Sequence, residues 1–132
     1  MQDDKCCYQF QQAVDEYLIR HRSIFDVLTK FQEAAARVNR AYAKAVTECG
    51  CVTIEAGRQM VPEEAEFCQL RKYMSTHTSG LPCAQCREII AREIGRSMFY
   101  QAALCNLAGL NIRDIMEEEH NNLKTLGIFH LS

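Results

Sequence analysis

Cys49-Gly50-Cys51 and Cys83-Ala84-Gln85-Cys86 gather four of the chain's eight cysteines into two tight pairs. Thiolates paired at short spacing and supplied by two distant segments are the ligand pattern of a tetrathiolate metal site. Cys49, Cys51, Cys83 and Cys86 are therefore the candidate metal ligands. Four sulfurs arranged tetrahedrally suit Zn²⁺, and an iron–sulfur centre is an alternative that the spacing leaves open. C-x-x-C is common in zinc sites and C-x-C is less so, and small buried residues at helix ends would produce the same pattern without a metal. A redox C-x-x-C is a third reading, with Cys83 held as a thiolate at a helix N-terminus, but the βαβ context of such motifs is missing. His77 precedes Cys83 by six residues and is a candidate substitute for one thiolate. Cys6, Cys7, Cys68 and Cys105 have no partner spacing, and Cys7 and Cys105 read as core.

Composition narrows the classes. At 132 residues the chain fits one helical domain, residues 1–132, long enough to bury a core without disulfides. Fifteen basic and seventeen acidic residues give a formal net charge of −2, with no basic block and no acidic tail, so nothing points to nucleic acid as a partner. The polar start Met1-Gln2-Asp3-Asp4-Lys5 has no signal-peptide core behind it, and no apolar window approaches membrane-spanning length. The reading is a soluble cytoplasmic protein with no membrane partner. In such a reducing compartment an even cysteine count favours metal ligation over disulfides.

The elements that must position the cysteines are helical. Cys7, Phe10, Val14, Tyr17 and Leu18 recur at steps of three and four behind Asp4 and predict a first helix ending near His21. Ser23 followed by Asp26 signals a second start, and Ile24, Val27, Leu28, Phe31, Ala35, Val38, Tyr42, Ala45 and Val46 carry an apolar stripe to a stop at Gly50. Residues 50–61 read as an extended segment or loop, in which Cys49 and Cys51 would point the same way. Pro62 followed by Glu63, Glu64 and Glu66 predicts a short helix with Phe67, Leu70 and Met74 on its apolar face. Another long helix runs from about Cys86 to Ala108, with Cys86, Ile90, Ile94, Met98, Ala102 and Cys105 on one side and a C-terminal half central to the core. Gly109 ends it, Asn111 with Asp114 caps a last helix through Lys124, and Gly127 repeats the stop. The apolar tail Ile128, Phe129 and Leu131 is expected to fold onto the bundle or onto a second subunit. The fold class is all-α, a bundle of four to five helices.

Arg92-Glu93-Ile94-Gly95-Arg96-Ser97-Met98-Phe99-Tyr100, followed by Ala103 through Ile112 and an acidic helix, resembles the third and fourth helices of MazG-type nucleotide pyrophosphohydrolases. The likeness covers about residues 87–127 and not the cysteine pairs. It implies a MazG-like helical fold, often dimeric or tetrameric, and so a homodimer or higher homo-oligomer here. In that family Mg²⁺ is held by E-x-x-E on one helix and E-x-x-D on the next. Carboxylates at i and i+3 share a helical face, and hard oxygen ligands suit Mg²⁺ bridging phosphates. Glu93 matches the first acid of the second motif, but Arg96 stands where the Asp belongs. For the first motif Glu33 is present, with Ala36 and Arg37 in the partner's places, while Glu63 and Glu66 form an E-x-x-E behind Pro62, where acids also complement a helix dipole.

A basic set remains. Arg37, Arg40 and Lys44 with Asn39 on the second helix, joined by Arg96, would form a pocket for an anion or nucleotide without hydrolysing it, unless they are an ordinary solvated face. Glu117-Glu118-Glu119-His120 holds one E-x-x-H, but a di-iron bundle needs a second, so an exposed acidic stretch is the reading. The sequence thus describes a MazG-like bundle with a degraded acid cluster and a four-cysteine Zn or Fe–S site, acting as a binding or regulatory protein related to nucleotides. The alternative is an active, divergent Mg²⁺-dependent nucleoside triphosphate pyrophosphohydrolase using Glu93, Glu63, Glu66 and Glu33.

Overall fold

The computed structural model describes residues 2–127, and these form an all-α helical bundle. The long helices are α1 (Gln2–Tyr17), α2 (Ile24–Lys44), α4 (Ala84–Ala108) and α5 (Ile112–Leu126). Between α2 and α4 lie β1 (Thr53–Ile54), the one-turn α3 (Leu70–Tyr73) and β2 (Thr78–Ser79). The expected apolar tail at Ile128, Phe129 and Leu131 lies outside the described residues.

α2 and α4 run antiparallel as a long hairpin. Arg37 of α2 meets Glu93 of α4, and the end of α2 meets the start of α4 through Cys49 and Cys83. At the opposite end α1 closes the core, where Val14 and Leu18 pack with Val27 of α2 and Ala102 and Ala103 of α4. Phe10, Phe99, Leu104 and Ile112 surround that cluster. The small residues Ala102 and Ala103 let α1 and α2 approach α4 closely, which makes its C-terminal half central, as the sequence predicts.

α1 stops at Tyr17 rather than His21, and the reason is Arg22. Its guanidinium folds back to donate to the Leu18 carbonyl and to the Asp15 carboxylate at 2.9 Å, satisfying groups at the helix end that another turn would have used. Tyr17 is then 75% exposed rather than core. Asp4 lies inside α1, which begins upstream of it, and Ser23 takes the extended cap conformation without a side-chain cap bond. Asn111 does cap α5, accepting from the Arg113 and Asp114 amides at 2.9 and 3.4 Å. Gly109 ends α4 at φ 70°, a left-handed conformation that glycine adopts without penalty.

The short helix expected behind Pro62 does form, but it starts at Phe67 rather than directly after the proline. Residues 62–65 make a single turn, Glu66 becomes the N-cap of a 3₁₀ turn at Phe67–Gln69, and its side chain and that of Gln69 form a reciprocal capping box. The capping box wins because it starts a helix four residues later than proline would. On α4, Ile94 and Met98 stand on the same side as Ala102 and Cys105 but are each 44% exposed, because α1 packs only on the C-terminal end of the helix.

One polar knot ties α1 to the α4–α5 turn. The buried Gln11 donates through Nε2 to Asn106 Oδ1 and the Leu110 carbonyl, both at 2.8 Å, and accepts from the Ile112 amide at 2.8 Å. Asn106 donates in return to the Gln11 carbonyl at 3.1 Å. A Gln11→Leu variant keeps the bulk but strands these partners, so it is expected to lose roughly 2–4 kcal/mol of stability. Urea denaturation followed by circular dichroism checks this; an unchanged midpoint contradicts it.

Candidate metal centre

Three local devices bring the cysteines together. The last turn of α2 widens: Ala45–Cys49 is a π turn, and the Gly50 amide donates to the Ala45 carbonyl at 2.9 Å. Gly50, at φ 79°, then reverses the chain, so Cys49 ends the helix and Cys51 returns beside it. The pair converges because of this reversal and not because the segment is extended, as its alternation suggested.

The second device is the two-residue ladder of β1 and β2, antiparallel with Thr53 opposite Ser79 and Ile54 opposite Thr78. It lays the chain before Cys83 along the chain after Cys51. Gly80, at φ 85°, completes the approach: a Cβ built on it would lie 2.9 Å from the Cys51 carbonyl oxygen. The third device is the start of α4, where Cys83 is the N-cap and Cys86 lies in the first turn. C-x-x-C at a helix start puts both thiols on one side.

The four sulfur atoms all lie within 4.8 Å of one another, and Cys49 Sγ and Cys83 Sγ are 3.8 Å apart. A zinc ion with Zn–S bonds of about 2.3 Å requires tetrahedral edges of about 3.8 Å. The donor set is therefore close to the size of a single tetrahedral ion. An iron–sulfur cluster spreads its thiolates over separate irons and needs them farther apart. Cys49 is exposed, Cys51, Cys83 and Cys86 are half-buried, and Cys51 Sγ also contacts the Ala45 carbonyl at 3.6 Å.

Their electrostatics differ. No cap bond of ordinary geometry reaches Cys83, yet the Cys86 amide at the helix start directs its partial positive charge at the Cys83 sulfur and, with the Cys86 and Cys49 thiols, lowers its pKa to about 7. Desolvation first, and then the same neighbouring thiols, push Cys86 up to about 12. The Cys51 thiol is the main cause of the upward shift of Cys49. Four sulfurs so close cannot all ionise without a cation between them.

The loop that carries the second strand is pinned separately. Gln59 donates to the Ser75 carbonyl at 2.9 Å and accepts from the Ser75 amide at 2.8 Å, and its Nε2 lies 3.2 Å from His77 Nε2. His77 sits at φ 59° and is engaged by Gln59 instead of joining the sulfurs. Gln59 and Gly80 were not singled out from the sequence; the Ser79-Gly80 turn dipeptide is the one signal that marked this bend.

The acids and bases expected from sequence separate into distinct places. Glu33 and Glu93 do converge across the hairpin, but on Arg37: its Nε is 3.2 Å from Glu93, and its Nη1 is 3.8 Å from Glu33, which Lys30 also approaches at 3.3 Å. Glu63 lies in the turn behind Pro62 and Glu66 caps the 3₁₀ turn, so the two share no helical face. Arg37, Arg40 and Lys44 line a cleft of about 260 Å³ with Ala41, Ile89 and Glu93. Lys44, Ala41 and Ile89 continue into a second cleft of about 460 Å³ that ends at Glu48, Cys49, Gln85 and Cys86. Arg96 is exposed and does not line either cleft. Residues 117–120 are exposed on α5. Cys105 is buried as expected, and Cys7 is half-buried with its sulfur 4.0 Å from that of Met116.

Comparisons with protein-family models, curated proteins and solved structures find no match for this chain. Among the described residues no helix is long and apolar enough to cross a membrane.

Proposed function

We propose that the protein is a zinc-scaffolded helical binding protein, in which Cys49, Cys51, Cys83 and Cys86 hold one Zn²⁺ that fastens the 50–83 loop to the end of the α2–α4 hairpin. The mutual spacing of the four sulfurs carries this reading. A site closed by four thiolates supplies structure, since no coordination position remains for a substrate. The role is binding or regulatory, in the cytoplasm, and the MazG-like pattern of residues 87–127 relates it to nucleotides.

The α2–α4 cleft is the place for an anionic ligand. Arg40 and Lys44 make no ion pair with any described residue, and both face the cleft. Hydrolysis is disfavoured on electrostatic grounds. Arg37 already neutralises Glu33 and Glu93, so Mg²⁺ would have to displace a paired guanidinium to reach them.

Incubation with each common nucleoside triphosphate and Mg²⁺ is expected to release no pyrophosphate. Turnover that disappears in a Glu93→Gln variant would contradict the binding-protein reading and establish the pyrophosphohydrolase.

A further inference from the structure

The four thiols are not equally accessible or equally held. Cys49 is exposed, whereas Cys51, Cys83 and Cys86 are half-buried, and Cys49 lines the end of the cleft of about 460 Å³, where small molecules reach it from solvent. Its sulfur is 3.8 Å from that of Cys83, across the gap between the end of α2 and the start of α4. A disulfide spans about 2.05 Å, so closing this pair takes a movement of roughly 1.8 Å shared between two side chains.

Cys51 and Cys86 are fixed more firmly. Cys86 lies within α4, and Cys51 is held through its sulfur contact to the Ala45 carbonyl, the close approach of its own carbonyl to Gly80, and the burial of its neighbour Val52. Cys49 and Cys83 stand instead at the ends of elements. Cys49 closes the π turn before the left-handed Gly50, and Cys83 is an N-cap in extended conformation whose side chain makes no cap bond. Both side chains can turn toward one another without breaking a helix.

This pairing also has a consequence that the others lack. A disulfide within Cys49-Gly50-Cys51, or within Cys83-Ala84-Gln85-Cys86, would join near neighbours and leave the loop between them unfastened. Cys49 joined to Cys83 links the two segments, so the ends of the 50–83 loop stay together when the metal is gone. The β1–β2 ladder and the Gln59–Ser75 bonds hold the loop without any metal ligand, and the core of Val14, Val27 and Ala102 lies at the other end of the hairpin. The oxidised chain therefore keeps its fold.

We infer that Cys49 and Cys83 are a reversible oxidation site, at which a peroxide converts the two zinc-bound thiolates to a disulfide and expels the ion. The inference rests on the zinc reading above and adds its regulation. The exposed Cys49 sulfur attacks one peroxide oxygen, the O–O bond breaks and hydroxide leaves. The Cys83 sulfur then attacks the resulting sulfenic acid, forming the S–S bond and releasing a second hydroxide. The thiolates lose two electrons, the peroxide gains them, and two protons from solvent turn both hydroxides into water. Cys51 and Cys86 alone do not make up the four-ligand shell of a structural zinc, so Zn²⁺ leaves and their sulfurs take up protons. A thiol reductant returns the two electrons and, with zinc present, restores the site. Such a disulfide is transient in a reducing compartment, which is the behaviour of a redox sensor.

Titration of the zinc-loaded full chain with hydrogen peroxide, in the presence of a chromogenic zinc chelator, tests this. The expected result is one zinc released for each peroxide consumed, a Cys49–Cys83 linkage in non-reducing peptide mapping, unchanged helical circular dichroism, and recovery of bound zinc after dithiothreitol and zinc are added. A Cys6→Ser, Cys68→Ser variant, which removes the exposed cysteines outside the cluster, is expected to respond as the wild type does. Zinc that stays bound under about a tenfold excess of peroxide, a linkage confined to Cys83 and Cys86, or release that dithiothreitol does not reverse overturns the proposal and leaves the zinc reading intact. A purified chain that holds no zinc overturns both, and metal analysis before peroxide is added separates the two cases.

Discussion

A Cys83→Ser, Cys86→Ser variant is expected to purify without metal and to unfold at least 15 °C below the wild type. The size of the effect follows from what the four thiols hold. The 50–83 loop contributes Val52 as its one fully buried side chain, and its two-residue ladder and the Gln59–Ser75 bonds tie the loop only to itself. Such a segment buries too little apolar surface to offset the entropy of ordering it. Zinc bound by four thiolates contributes on the order of 10 kcal/mol of folding free energy in small domains, enough to dominate here. Thermal unfolding with metal analysis of the same sample checks this. A variant that keeps both its melting temperature and its metal would reduce the cysteines to packing residues.

Gly80→Ala should be nearly as damaging, although Gly80 is no ligand. Its φ of 85° costs a side-chain-bearing residue roughly 1–2 kcal/mol. The added Cβ would also sit 2.9 Å from the Cys51 carbonyl, a backbone atom that cannot swing aside as a flexible side chain would. Relief requires moving either Cys51, itself a ligand, or the second strand, which leads into Cys83. The expected result is a loss of about 2–4 kcal/mol together with at least tenfold weaker zinc binding, since a displaced Cys51 opens the tetrahedron. Competition with a chromogenic chelator measures the second quantity. Gly57→Ala, at a position with open space around it and no positive φ, is the control and should change neither.

The long elements were legible in the sequence because their signals are repeated. Val14 and Leu18, Val27 and Ala45, and Ala102 and Cys105 recur at helical spacing, and Gly50, Gly109 and Asn111 mark ends that the structure keeps. The cysteine cluster was legible too, because two pairs flanking one excursion of the chain have few ways to meet. What escaped depends on competition between local interactions. Pro62 with three acids signals a helix start as well as Glu66 with Gln69 does, and only the completed capping box decides between them. The end of α1 was set by Arg22, whose reach back to Leu18 and Asp15 has no periodic signature.

The electrostatics of the hairpin show the same limit. Glu33 and Glu93 were singled out as metal-binding acids, and Arg37 as an anion-binding base. All three are plausible alone, and sequence spacing does not reveal that α2 and α4 register them against one another. The apolar stripe on α2 was visible in the sequence, but its spacing does not say which of its positions a neighbouring helix covers. In the structure Val27 and Ala45 are buried, Phe31, Val38 and Val46 are half-buried, and Ile24, Leu28, Ala35 and Tyr42 stay exposed.

The most direct test of the central claim is elemental analysis, with an absorption spectrum, of untagged protein purified without oxygen. One zinc per chain and no visible colour is the predicted result. A brown protein with iron and sulfide, or a folded protein with no metal, would contradict it.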